Sequence, residues 1–275
     1  MMCAWQELLA VLPAWMRKEV DCIGSTDLRE LRLRINAPPE LILADRSYKL
    51  KRILTGDDIN FTVNAASRYS PWAAVSAAQG YITAKGGHRI GLCGEMVTQQ
   101  GTVTTIRNVT SLCVRIARDV QEIASGIEGV SGSILILGAP GWGKTTLLRD
   151  AIRKIGMREV VCVIDERGEL FPEGFDGGKY VDVLTGCSKA TGISMLLRTM
   201  GPRSIAVDEI TDQEDTNALL YAANCGVRLL ATAHGSSVSD LKKRLVYRPL
   251  LDNHVFDVLL VLKENQTYAI ERMPG

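Results

Sequence analysis

The sequence predicts an α/β chain whose second half builds a mainly parallel sheet, preceded by a smaller α+β N-terminal region. Three observations carry this expectation. Apolar runs at 133–137, 159–164, 204–208, 228–232 and 256–262 alternate with helical stretches, the pattern of a parallel sheet covered on both faces. Residues 138–145 read Gly-Ala-Pro-Gly-Trp-Gly-Lys-Thr, between the run Ser133-Ile-Leu-Ile-Leu137 and a helical stretch over 146–154. Strand, loop and helix in that order are the setting in which this pattern holds phosphate. Upstream, Leu31-Arg-Leu-Arg-Ile35 alternates apolar and basic residues as a half-buried strand does.

Taken in order, Trp5, Leu8, Leu9 and Leu12 fall at i, i+3, i+4 and i+7 and predict one apolar helix face, expected to dock on protein. Leu28–Ile35 predicts a strand, Pro38-Pro39 a turn, and Glu40–Ala44 a second strand. Residues 57–79 read as helical with an interruption at Pro71, followed by short strand candidates at Gly80–Thr83, Gly86–Gly91 and Val103–Ile106. The mixture of glycines, serines and acids over 120–132 marks a seam, which divides the chain into domains 1–125 and 126–275.

Bulk properties bound the function. A length of 275 residues suits one or two domains, and 46% apolar with 23% charged residues is ordinary for a globular protein. A formal charge of +1 and 5% aromatic residues make nucleic acid an unlikely partner. No apolar run is long enough to span a bilayer, and Arg17 and Lys18 follow the apolar N-terminus instead of preceding it, so direct membrane insertion and a signal peptide are not expected. The seven cysteines, at 3, 22, 93, 113, 162, 187 and 225, are odd in number and lack a C-x-x-C pair. They read as buried thiols of a cytoplasmic protein.

The loop carries the chemistry. Gly138, Ala139, Pro140, Gly141, Trp142 and Gly143 would wrap a phosphate chain, with the helix N-terminus at Thr146 turned toward the anion. Lys144 would reach the β- and γ-phosphates and the Thr145 hydroxyl would hold Mg²⁺. No N-K-x-D guanine-reading pattern is present, which favours ATP over GTP. Two Asp-Glu pairs, Asp165-Glu166 and Asp208-Glu209, end strand-like runs, where an acid either manages metal and water or caps the strand. His234 ends the next run, where a polar side chain can touch the γ-phosphate.

Asp165-Glu-Arg-Gly-Glu169, Asp208-Glu-Ile-Thr-Asp-Gln-Glu-Asp215 and Ala231-Thr-Ala-His-Gly235 together resemble the acidic box, Walker B segment and histidine box of the type II and type IV secretion ATPases. Leu31–Asn36, Gly80–Thr83, Gly86–Gly94, Ser111–Arg118, Gly143–Asp150 and Asp182-Val-Leu184 look like one branch, the stage III sporulation AA family, over about residues 28–262. Ala139, Trp142 and Gly168 depart from that family's usual Pro, Cys and Ser without touching a reactive position.

The resemblance implies a RecA-like, Mg²⁺-dependent ATPase. Asp208 would organise the metal with Thr145, and Glu209 would polarise water. Asp165, Glu166 and Glu169 would form a secondary acidic cluster on the same site. It also implies a hexameric ring serving integral-membrane channel proteins on the mother-cell side of the forespore membrane, with the protein in the mother-cell cytoplasm and peripheral to the membrane. Arginines of the N-terminal domain would reach a nucleotide, often across a subunit boundary. Arg32, Arg34, Arg89, Arg115 and Arg118 are candidates, with Arg115 and Arg118 foremost because they precede the seam, and Arg198 a further one. A nucleic-acid motor and a nucleotide-gated scaffold with little turnover are the alternatives.

Overall fold

The computed structural model describes residues 3–67, 77–78, 80–172, 175–264 and 267–273. Its contacts divide into two compact units: Met1–Asp119 with Pro172–Phe175, and Val120–Phe171 with Asp176–Gly275. The division falls between Asp119 and Val120, ahead of the 125/126 seam. Ala124 and Ile127 are buried in the second unit's core, and the Ala124 N–H is donated to Asp150.

The first unit begins with helices α1 (Trp5–Val11) and α2 (Ala14–Ile23). Strands β1 (Leu28–Arg34), β2 (Glu40–Leu43) and β3 (Ser47–Lys49), helix α3 (Gly56–Ser67), and strands β4 (Tyr81–Thr83), β5 (Arg89–Gln99) and β6 (Thr102–Arg115) follow. The six strands pair antiparallel in the order β3-β2-β1-β6-β5-β4. Alternation on β1 works as the sequence suggests: Leu31 and Leu33 are fully buried while Arg32 between them and Arg34 after them lie on the other face. Leu8, Leu9 and Leu12 bury the apolar face of the first helix in that core. Each such leucine contributes roughly 1.5–3 kcal/mol.

Some expectations change here. Strand β3 had no usable pattern, being three exposed residues. Gly86 and Gly87 do not open a strand: φ values of 80° and 79° are left-handed, outside the strand region, and belong to a tight turn over Lys85–Gly87, so the strand starts at Arg89. The helix read over 57–79 is seen to Ser67 and at 77–78; its remainder, with Pro71, lies outside the described residues. All seven cysteines are free, but only Cys162 is buried, and Cys22, Cys93 and Cys225 are exposed. Cys93 faces out because β5 buries only its alternate residues Ile90 and Leu92.

The second unit is a seven-stranded sheet: β7 (Ile134–Gly138), β8 (Val161–Asp165), β9 (Val181–Thr185), β10 (Ser204–Val207), β11 (Arg228–His234), β12 (Val258–Leu262) and β13 (Tyr268–Arg272). Its order is β13-β12-β7-β11-β10-β8-β9, parallel throughout except for the β12–β13 pair. Helices α4 (Lys144–Ile155), α5 (Lys189–Thr199), α6 (Gln213–Asn224), α7 (Val238–Lys242) and α8 (Arg248–Asp252) complete it.

Period-two alternation sends each central strand into two cores. Leu135, Leu137, Ile205, Val207, Leu229 and Ala231 meet Ile193 of α5, Leu219 of α6 and Leu250 of α8 on one face. Ile134, Ile136, Val161, Val163, Ala206 and Leu230 meet Leu147, Leu148 and Ile152 of α4 on the other. That double burial is why the strands read as unbroken apolar runs. The edge strands β9 and β13 are partly exposed, so their sequences carried a weaker signal.

Candidate functional site

The phosphate-type loop leaves β7 at Gly138, and α4 starts at Lys144. Gly141 and Gly143 hold φ values of 78° and 94°, and a Cβ on either would meet open space. The demand for glycine there is therefore conformational. Gly138 answers to space instead, since a Cβ would lie 3.0 Å from Leu262 Cβ on the neighbouring strand. Pro140 is exposed and Ala139 half-buried. Trp142 closes the loop, its N–H donated to the Ala139 carbonyl at 3.3 Å, and its ring packs on the α4-side core. Thr146 is half-buried in the first turn of α4.

The sheet order does the assembly. Strand β11 lies between β7 and β10, so the tips of all three point to the same end. His234 is registered with Gly138, which sets the histidine beside the start of the loop. Lys144 is buried; its ammonium donates to the Ala139 carbonyl at 3.1 Å and lies 2.9 Å from His234 Nδ1. Burial pulls the Lys144 pKa down, against the charges of Glu209 and Asp208. His234 Nε2 lies 2.9 Å from Glu209 Oε1. With Lys144 as donor, Nδ1 accepts and Nε2–H donates to Glu209.

Asp208 follows β10 and accepts the Thr145 hydroxyl on Oδ2 at 2.7 Å. Its Oδ1 accepts the Thr232 hydroxyl at 2.7 Å and the Glu209 N–H at 3.1 Å. The Glu209 N–H is also donated to Thr232 Oγ1, at 2.8 Å. Glu209 has φ 35°, unusual for a residue with a side chain. Two acceptors on its N–H hold it there. A loop threonine and a strand-tip aspartate thus converge from separate elements, beside the glutamate that follows the aspartate, as required of a site for a triphosphate with Mg²⁺. Asp208 and the Thr145 hydroxyl, already 2.7 Å apart, are hard oxygen donors of the kind Mg²⁺ takes, one carboxylate with substrate oxygens and water completing the shell.

The acidic box divides by role. Asp165 is buried and accepts the N–H groups of Glu169, Leu170 and Phe171 at 2.8, 2.9 and 2.8 Å, so it caps the 165–171 loop. Burial pushes its pKa up, against those three donors. Glu166 is exposed and ion-pairs with Lys189 at 3.0 Å. Glu166 and Glu169 line a cavity of about 40 Å³ with Asp208, Glu209 and Lys189.

In the first unit, Arg118 donates to the carbonyls of Ser25, Thr26 and Leu28. All three bonds are made by Nη2, which ties that end of the guanidinium to the unit's own backbone, while Nε is buried without a hydrogen-bond partner among the described residues. Arg115 is exposed, with Glu30 at 3.6 Å. Arg32 pairs with Glu30, Arg34 with Glu40 at 3.8 Å, and Arg89 lies over the Tyr81 ring at 4.0 Å. Arg198 donates to the Ser194 carbonyl of its own helix.

Sequence reasoning passed over Thr232 and Lys189. Both had a signal: a hydroxyl inside the apolar run of β11, and a lysine in the first turn of a helix, where the macrodipole disfavours a cation.

The fold matches those of solved ATPases. The chain superposes on the ATPase DotB from Legionella pneumophila with a TM-score of 0.62, 19% identity, and coverage of 95% of this chain and 80% of that one. It superposes on the pilus retraction motor PilT, solved with bound ADP, with a TM-score of 0.64, 16% identity, and coverage of 98% and 82%. These likenesses establish a RecA-like secretion-ATPase fold. In sequence, the chain is 36% identical over 277 residues to stage III sporulation protein AA of Bacillus subtilis (strain 168), covering 93% of this chain and 90% of that protein. The family model described as "Sporulation stage III, protein AA" matches residues 4–271, and the chain belongs to that family.

Proposed function

We propose that this chain is a Mg²⁺-dependent ATPase that hydrolyses ATP to ADP and phosphate to drive or gate a membrane-embedded assembly during sporulation. The observation that carries the reading is the Thr145–Asp208 hydrogen bond beside Glu209. It joins the loop hydroxyl to the acid of a strand two positions away in the sheet, an arrangement with no use in a bare phosphate-binding turn.

In this reading the loop N–H groups and Lys144 hold the phosphate chain, and Thr145 and Asp208 hold Mg²⁺, which would offset phosphate charge. Glu209 orients a water and takes its proton as the water oxygen bonds to the γ-phosphorus and the bond to the β-phosphate oxygen breaks. His234, between Lys144 and Glu209, links the phosphate side of the site to the base. The two compact units correspond to an N-terminal domain and an ATPase domain. A hexameric ring, with Arg115 completing a neighbour's site, and a membrane channel partner on the mother-cell side belong to the same proposal, supported by the family and the fold.

The test is phosphate release from MgATP across a wide protein concentration range, with binding of a fluorescent ATP analogue alongside. Lys144→Ala is expected to lose binding and turnover. Glu209→Gln is expected to keep binding and lose roughly 10²–10⁴-fold in turnover. A Glu209→Gln variant as active as the parent removes the base assignment, and full-stoichiometry binding with no turnover at any concentration favours the scaffold.

A further inference from the structure

Lys189 is a cation in an unexpected place. It is the first residue of α5, where the helix dipole opposes positive charge, and its side chain is only 7% exposed. Its ammonium lies 3.0 Å from Glu166 Oε2 and 3.1 Å from Asp215 Oδ2. Burial lowers its pKa, but the hydrogen bonds and charges of those two acids outweigh it and raise it, so the cation is retained.

What Asp215 does gives the contact its meaning. The same Oδ2 accepts both the N–H and the hydroxyl of Thr211 at 2.9 Å, and Asp215 is itself buried in the first turn of α6. Thr211 lies two residues beyond Glu209, and the intervening Ile210 donates its N–H to the Thr232 carbonyl at 3.1 Å. The 208–211 segment is therefore gripped from two sides, by β11 through Thr232 and by α5 and α6 through the Lys189–Asp215 pair. Lys189 and Glu209 also share the wall of one recess, whose volume of about 40 Å³ has room for a few waters.

We propose that Lys189 is a positioning residue: it clamps Glu166 to Asp215, and through Thr211 holds Glu209 in its left-handed conformation facing the attacking water. Asp215 without its cation would lose the reason to stay buried over Thr211, and the 209–211 turn would relax toward ordinary backbone angles. The role rests on the ATPase reading above, because Glu209 must be the base for its position to matter.

Single-turnover hydrolysis per bound nucleotide tests it, with the stoichiometry of a fluorescent ATP analogue reporting the folded fraction. Lys189→Met should bind at full stoichiometry with unchanged affinity and hydrolyse at least tenfold more slowly, and Lys189→Arg should recover most of the rate. In a Glu209→Gln background, Lys189→Met should add less than a twofold further loss, because the group it positions is already gone. Amide exchange at Thr211 should be at least tenfold faster in Lys189→Met. If that variant does not reach full binding stoichiometry, Lys189→Gln, whose shorter neutral side chain removes the cation that bridges the two carboxylates, carries the same measurements with the same expected losses. A parent-like single-turnover rate, losses that multiply in the double variant, or unchanged Thr211 exchange overturns the role of Lys189. A parent protein without turnover overturns the ATPase reading, and this role with it.

Discussion

Thr232→Val isolates one hydroxyl. The side chain is fully buried in β11, and valine preserves its shape while removing the group that donates to Asp208 Oδ1 and accepts the Glu209 N–H. A hydrogen bond to a charged acceptor contributes roughly 1.5–3 kcal/mol, and here it is fully buried. The Glu209 N–H keeps its longer 3.1 Å bond to Asp208, so its loss is partial. The left-handed backbone at Glu209 itself costs about 1–2 kcal/mol, which those contacts offset. The extra buried methyl returns less than about 1 kcal/mol. The expected net loss is about 2 kcal/mol, or a fall in Tm of roughly 4–8 °C. Urea denaturation followed by circular dichroism measures it, and phosphate release should drop in parallel because Asp208 and Glu209 are both released. Thr232→Ser, which retains the hydroxyl, should restore turnover. A valine variant within about 0.5 kcal/mol of the parent, with parent-like turnover, would refute the view that this hydroxyl organises the two acids.

Two further outcomes follow from buried polar groups. Asp165→Asn should destabilise the second unit by about 2–4 kcal/mol in urea, because the amide sets an NH₂ against N–H donors from Glu169, Leu170 and Phe171; unchanged stability would mean the cap is not what orders that loop. His88 is fully buried, with Nε2 2.9 Å from the Ala4 carbonyl and Nδ1 accepting the Ala117 N–H at 3.2 Å. Burial lowers its pKa below 6.5, so the unfolded chain takes up a proton before the folded one. Its contribution is complete above about pH 6.5 and is lost as pH falls through the folded pKa, by up to about 1.4 kcal/mol per pH unit. His88→Gln, which can still donate and accept but does not titrate, should show the shallower decline in stability between pH 7.5 and 5, and parallel declines would exclude the histidine as the source.

How much was legible in the sequence depended on burial geometry. Strands β7, β8, β10, β11 and β12 announced themselves because each is covered on both faces, leaving continuous apolar runs of sheet length. Strand β3 at an exposed edge of the first sheet, and β9 and β13 at the edges of the second, carry mixed residues and were not legible for the same reason inverted. The phosphate loop was readable because its glycines answer to local backbone angles, a constraint that acts over a few residues.

Local rules thus determined the loop, the parallel class of the second sheet, and the acids that end its strands. Which acids work together was decided by tertiary structure alone. Inserting β11 between β7 and β10 brings Thr145 to Asp208 and His234 to both Lys144 and Glu209, contacts between residues 63 and 90 positions apart for the first and second of these. Elsewhere, local folding of the turn after β8 makes Asp165 a loop cap, and Arg118 Nη2 donates to carbonyls of its own unit. Asp165 and Asp208 look alike in sequence, each an Asp-Glu at a strand tip. The folded chain separates them physically, giving one carboxylate three backbone N–H donors in a buried loop and the other the hydroxyls of Thr145 and Thr232.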